Sequence, residues 1–306
     1  MMEKRKLGRS ELEVSRLSLG SWRTFERLPR DDALAVMGAA RELGFNFLDD
    51  ARYDDETGGA PIPTGYSEVL FGELFRAVGW DRDATVVSNK LWWEFWPRES
   101  AAAELDGSLS RMGFDYVDLI YANPPPDGLA IDELVAAMGD LVSSGKARAW
   151  GIVNWEADPL MDAIRSATRQ GARQPCAVQL PYSLVAREFV ESIEMRAALE
   201  ASGANVVASF VMAGGILTGK YAAGGSGRAD AEIERPRFAA ARECGRRLRA
   251  LAPEIGCSPA ALAIAFALAN PAVASVLFGA TSPEQLAEDV AALEVSPAAV
   301  QSLLEE

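Results

Sequence analysis

From residue 14 onward the chain alternates short apolar runs with longer segments of helical spacing. No other feature constrains the fold as much, because neighbouring parallel strands need a crossover of a dozen or more residues, and a helix is the usual one. Eight strand candidates can be read: Arg16–Leu19, Asn46–Asp49, Thr85–Asn89, Val117–Tyr121, Ala149–Val153, Ala177–Gln179, Asn205–Ser209 and Ser275–Phe278. Helix candidates fall at 31–43, 67–78, 98–112, 131–143, 156–169, 189–201, 236–252 and 258–269. Ser258 before Pro259 reads as an N-cap with proline in the first turn, and Asp31 and Asp158 sit where caps or first-turn carboxylates belong.

Eight such pairs predict an α/β chain folded as one (β/α)8 TIM barrel across residues 1–306. An open doubly wound sheet would usually carry a glycine fingerprint after its first strand, and none stands there. Ahead of the barrel, Lys4–Leu7 and Leu12–Val14 flank Gly8-Arg9-Ser10 and predict a β-hairpin placed to plug the barrel's N-terminal end. Two polar segments, 54–65 and 222–235, follow the ends of the second and seventh strands, where barrel enzymes put substrate loops, and both read as lids, with disordered decoration as the alternative for the second.

Composition then removes classes of chemistry. There is no histidine, which excludes serine triads built on imidazole and imidazole metal sites, so proton transfer falls to tyrosine, lysine, carboxylates or water. A formal net charge of -14 argues against nucleic acid and anionic membrane as partners. The three cysteines match neither a disulfide framework nor a zinc pattern, and no apolar leader opens the chain, so a reducing cytoplasm is the expected location and no metal is expected.

Candidate functional residues are polar groups at the strand ends, which converge on one mouth of a barrel: Asp49 and Asp50, Asn89 and Lys90, Asn123, Asn154 and Gln179. A lysine directly after Thr85-Val86-Val87-Ser88-Asn89 needs a carboxylate to be buried, and Asp49 is its natural partner. Such a cation beside Tyr53 would lower the pKa of the phenol and make it a proton donor to a carbonyl. A structural ion pair and an ordinary loop tyrosine are the alternatives, and Lys90 as a Schiff-base nucleophile is a third chemistry.

Several segments resemble the aldo-keto reductase family, in the family's order. Arg5-Lys6-Leu7-Gly8-Arg9-Ser10 and Val14 to Trp22 are similar to its hairpin and first strand; Asn46 to Ala51 is similar to "NFFDTA", Val87 to Lys90 to "ATK", and Gly151 to Trp155 to "GVSNF". Val178 to Leu184 resembles "VQxxYNLL", Gly215 to Tyr221 "GLLTGKY", and Gly279 to Asp289 "GASSPEQLEEN". The resemblance implies reduction of a small-molecule carbonyl, with Asp49 and Lys90 tuning a tyrosine. Where the family usually has histidine this chain has Asn123, in a segment that resembles the potassium-channel β-subunit branch. An asparagine can hydrogen bond a carbonyl but cannot shuttle protons. Tyr53 stands one residue earlier than the family's tyrosine, with Tyr66 as its rival.

The resemblance further implies a nicotinamide cofactor, NADP with NAD as the alternative. Gly20, Ser21 and Trp22 fall among its cofactor-binding positions, Asn154 and Gln179 at the nicotinamide carboxamide, Phe210 beside the stacking position, and Gly215, Leu217 and Lys220 at its phosphates. Gly279, Thr281, Gln285, Glu288 and Asp289 fall at its adenosine end, where no arginine or lysine stands. Trp92, Trp93 and Trp96 read equally as a wall of the substrate pocket or as core. A second reading is a cofactor-binding regulatory or redox-sensing protein with vestigial turnover.

Overall fold

A computed structural model describes residues 2–221 and 233–305. The chain opens with an antiparallel hairpin, β1 (Lys4–Lys6) and β2 (Glu13–Ser15), with Lys4 opposite Ser15 and Lys6 opposite Glu13. There follow β3 (Leu17–Gly20), α1 (Arg30–Glu42), β4 (Phe47–Asp49), α2 (Tyr66–Val78), β5 (Val86–Leu91), α3 (Ala101–Met112), β6 (Val117–Ala122) and α4 (Ile131–Ser143). The second half comprises β7 (Ala147–Val153), α5 (Ala157–Gln170), β8 (Ala177–Pro181), α6 (Glu188–Glu191), α7 (Ile193–Ser202) and β9 (Asn205–Ser209). It ends with α8 (Ala239–Ile255), α9 (Pro259–Ala269), β10 (Val273–Phe278), α10 (Pro283–Val290) and α11 (Pro297–Glu305). Strands β3 to β10 pair in parallel, and β10 closes on β3 to complete the barrel.

The helix order differs from the sequence expectation in two places. The candidates at 236–252 and 258–269 both lie between β9 and β10, so the helix paired with the last strand is α10, followed by α11. The candidate at 189–201 is broken at Ser192, whose extended backbone (ψ 150°) ends α6 and whose hydroxyl accepts from the Met195 amide at 3.3 Å to start α7. Ser258 caps α9 in the expected way, accepting from the Ala261 amide at 3.0 Å.

The hairpin does close the N-terminal end of the barrel. Leu7, Leu12 and Val14 are buried against Phe47, Val86, Leu119 and Val207 from the strand interiors, and burying such side chains stabilises by about 1.5–3 kcal/mol each. Asn205 at the start of β9 accepts from the Gly8 amide at 2.8 Å, which pins the hairpin turn to the barrel rim.

Of the two polar segments, 54–65 is folded on itself. Asp54 bridges Thr64, the Asp55 amide donates to Pro63 O at 2.7 Å, and the Asp55 carboxylate accepts from the Thr57 and Ala60 amides. Glu56 fastens this segment to the region after β3, taking Arg23 at 2.7 Å and Arg27 at 2.9 Å. Residues 222–232 of the second segment lie outside the described residues. Among the described residues no single helix is long and apolar enough to cross a membrane, and no cluster of acidic or cysteine side chains is placed to hold a metal.

Candidate active site

Side chains alternate along a strand, so residues two apart share a face. On β4 this turns Phe47 and Asp49 into the barrel, and on β5 Val86, Ser88 and Lys90; the apolar members sit low and the polar ones at the mouth. Asp49, 2% exposed, accepts from Lys90 Nζ at 2.5 Å, Ser88 Oγ at 2.7 Å and Gln179 Nε2 at 3.2 Å. Lys90 Nζ also donates to the Tyr53 hydroxyl at 3.1 Å. The expected pairing of Asp49 with Lys90 is therefore present, and Tyr53 completes a chain of contacts with them. Ser88 is not among the candidate functional residues read from the sequence, although its place two residues before Lys90 is the signal for it.

Burial works to lower the Lys90 pKa, but Asp49 and Tyr53 outweigh it and hold the ammonium above its ordinary range. A permanently charged lysine is a poor Schiff-base nucleophile, and the third chemistry loses its support. Tyr53 corrects a further expectation. Burial is the largest influence and raises its hydroxyl; Lys90 pulls down, while Asp49 and Asp50 push up again. The net direction is upward, because the Lys90 charge is already spent on a carboxylate and a phenolate at this half-buried place is poorly solvated. Tyr53 therefore keeps its proton through neutral pH.

The one-residue displacement of Tyr53 is absorbed locally. Its amide donates to Ala51 O at 2.9 Å in a three-residue turn, and its carbonyl accepts from the Gly65 amide at 2.8 Å, which together swing the ring over β5. Tyr66 instead opens α2 and packs its ring against the core between barrel and helices.

Trp92 is 36% exposed and meets the Tyr53 ring edge-on with centroids 6.0 Å apart. Trp93 is buried, donating Nε1 to Asn123 O at 3.1 Å, and Trp96 packs against it. The cluster thus divides: Trp92 faces the mouth, and the other two are core. Glu104 on α3 holds the chain here, accepting from the Trp92 amide at 2.7 Å and the Trp93 amide at 3.2 Å. Asn123 donates Nδ2 to Leu91 O at 3.0 Å, leaving its second amide hydrogen uncommitted in that contact.

The residues expected at a cofactor lie around the same mouth, with two adjustments. Trp22 and Phe210 are each 41% exposed, Asn154 stands exposed in a left-handed conformation (φ 58°), and Gln179 spends Nε2 on Asp49. After β9, Gly214 and Gly215 adopt φ of 71° and 88°, and a Cβ at Gly215 would lie 3.6 Å from Lys220 Nζ, so the loop curls beneath that ammonium. The Gly215 and Leu217 amides, however, donate to Met212 O at 2.9 and 3.1 Å, and the Leu217 side chain is buried. They shape the loop internally and do not present free donors.

After β10 come Gly279 and the start of α10. Gln285 Oε1 accepts from Thr281 Oγ1 at 2.8 Å and from the Thr281 amide at 3.1 Å, while Ser282 caps the Gln285 amide at 3.3 Å. This resembles a capping box, with the side chains closed on each other. Glu288 is exposed, and Asp289, 5% exposed, is pushed up to about 7 by burial and then by Glu288.

A family profile described as "Aldo/keto reductase family" matches residues 16–303. A rice protein (Oryza sativa subsp. japonica) described as a probable voltage-gated potassium channel subunit beta is 36% identical over 313 residues, an alignment spanning 97% of this chain and 92% of the relative.

Proposed function

The chain belongs to the aldo/keto reductase family, and from that premise we propose that it is an oxidoreductase reducing aldehydes or ketones with NADP(H). The observation that carries this reading is the run Asp49, Lys90, Tyr53, a buried ion pair touching a half-buried phenol with contacts of 2.5 and 3.1 Å, at the open end of a barrel. The residues suit a dinucleotide. Two large aromatic faces, Trp22 and Phe210, stand exposed at the mouth where apolar surface would otherwise meet water. Lys220 over the Gly214-Gly215 curl and the N-terminus of α10 offer positive ends for phosphates. Gln179 and Asn154 would orient the carboxamide. A reduced nicotinamide bound there supplies the hydride. Tyr53 gives its proton to the carbonyl oxygen, and Lys90, fixed by Asp49, stabilises the negative charge developing there. Asn123 would offer its second amide hydrogen to the same oxygen, while Trp92 would shape a pocket for bulky apolar or aromatic carbonyl compounds.

Oxidation of NADPH by the purified protein against a panel of aliphatic and aromatic aldehydes tests the reading. No turnover with any of them, while cofactor binds, would count against it. Parallel titrations with NADH decide the cofactor, since α10 carries Glu284, Glu288 and Asp289 and no cation to pair with a 2'-phosphate.

Asn123 and the likeness to a protein described as a channel subunit favour a second reading, in which cofactor binding regulates and turnover is vestigial. Lys90→Met separates the two. Reduction should fall by about 10³-fold or more under the first reading, while under the second the biological output survives with cofactor bound. Because loss of one partner from a buried pair costs about 3–5 kcal/mol, the Asp49→Asn/Lys90→Met double variant is the folded control.

A further inference from the structure

Asp49 and Asp50 are chain neighbours with opposite surroundings. Asp49 has a lysine, a serine and a glutamine. Asp50, also fully buried, faces away from the barrel interior; its Oδ1 takes the Ser21 hydroxyl, and its Oδ2 has no partner. The charges around it are already matched. From α2, Glu68 accepts from Asn89 Nδ2 at 2.8 Å and pairs with Arg111 of α3 at 2.5 Å. From β5, Lys90 is committed to Asp49 and Tyr53. No cation lies within ion-pair distance of Asp50 among the described residues. An ionised carboxylate in that place would be an unpaired buried charge, a state that proteins avoid by retaining the proton. The direction of its acidity agrees: burial first and Glu68 next raise it far above the ordinary aspartate value, against Ser21, the Ala51 amide and Lys90.

The Ser21 contact gives this acid a consequence. Ser21 follows β3, its amide donates to Asp49 O at 3.0 Å, and Trp22 comes next in the chain. We propose that Asp50 is a positioning residue: as a neutral acid it accepts the Ser21 hydroxyl and fastens the Gly20-Ser21-Trp22 turn to the end of β4 without adding charge, and on ionising it sets an unpaired negative charge beside that turn, where it opposes an anionic cofactor. Cofactor grip then depends on whether this carboxyl keeps its proton. The functional half of this inference rests on the reductase reading; the protonation half does not.

Three measurements on the full chain, wild type against Asp50→Asn, test it. Isotope-edited infrared spectra at pH 7 should show a protonated-carboxyl band in wild type that the variant lacks. The variant-to-wild-type ratio of folding constants should grow about tenfold per pH unit above about pH 5, because only the wild-type chain must take up a proton to fold. The NADPH dissociation constant should rise roughly tenfold for wild type between pH 7 and the pH at which the band disappears, and by less than twofold for the variant. A missing band, a stability ratio independent of pH, or the same pH dependence of NADPH binding in both proteins overturns the proposal. If wild type shows the band yet binds no NADPH at any pH, the reductase reading falls, and the functional half of this inference falls with it.

Discussion

The two ends of the barrel interior are built from the same strands and serve opposite ends. At the hairpin end Phe47, Val86 and Leu119 meet Leu7, Leu12 and Val14 in an apolar layer; one step along the same faces, the mouth holds Asp49, Ser88, Lys90 and Gln179 in a buried polar network. Apolar layers add stability in proportion to the surface removed from water, whereas a buried ion pair at best offsets its own desolvation. The closed end therefore supplies cohesion, which the charged end spends on keeping a lysine and a phenol in register.

Tyr53→Phe should break the comparison most visibly at the mouth. It removes one hydroxyl and should lower kcat for carbonyl reduction by about 10²–10⁴-fold with little change in thermal midpoint, whereas Tyr66→Phe should leave kcat unaltered. With wild type and saturating cofactor, kcat for reduction should stay level to above the ordinary tyrosine pKa of about 10, since the raised Tyr53 hydroxyl keeps the donor form. A decline centred near neutrality would contradict the assignment. At the other end, Leu7→Ala should cost about 2–5 kcal/mol in denaturant unfolding and leave kcat at 25 °C within a factor of about two; a large loss of kcat with full stability would erase the distinction between the ends. The smallest effect is expected of Asp289→Asn on α10. The folded chain holds this proton up to about 7, while an unfolded aspartate releases it near 3.9, so wild-type stability is greatest below that lower value and falls as pH rises through the window. The variant should therefore be more stable at pH 7.5, by no more than about 4 kcal/mol, with the advantage shrinking toward pH 5. An advantage that does not depend on pH would remove the carboxyl from this account.

Much of the architecture was legible because period and order are local properties. The strand cores at Val117, Ala177 and Asn205 begin where the apolar runs begin, and Ser258-Pro259 marks a helix start through the two chemistries any N-terminus wants. The pairing of Asp49 with Lys90 was legible for a different reason: a lysine ending an apolar strand has few ways to exist. What stayed hidden depends on contacts distant in sequence. How Tyr53 reaches Lys90 turns on the tight turn at Ala51 and its tie to Gly65. The break at Ser192 carried a cap signal that helical spacing on both sides concealed. Asp50 could have been separated from Asp49 by alternation alone, but its lack of a counter-ion is visible only once Arg111 is seen to belong to Glu68.

The stopper formed by Leu7, Leu12 and Val14 closes the hairpin end of the barrel, so the mouth is approached from the opposite side. Among the described residues the loops after β3, β4 and β9 stand around that mouth. Under the reductase reading, a large dinucleotide and a small carbonyl compound sharing that mouth would be constrained to queue, the last to arrive being the first to go, and product-inhibition patterns would display that sequence.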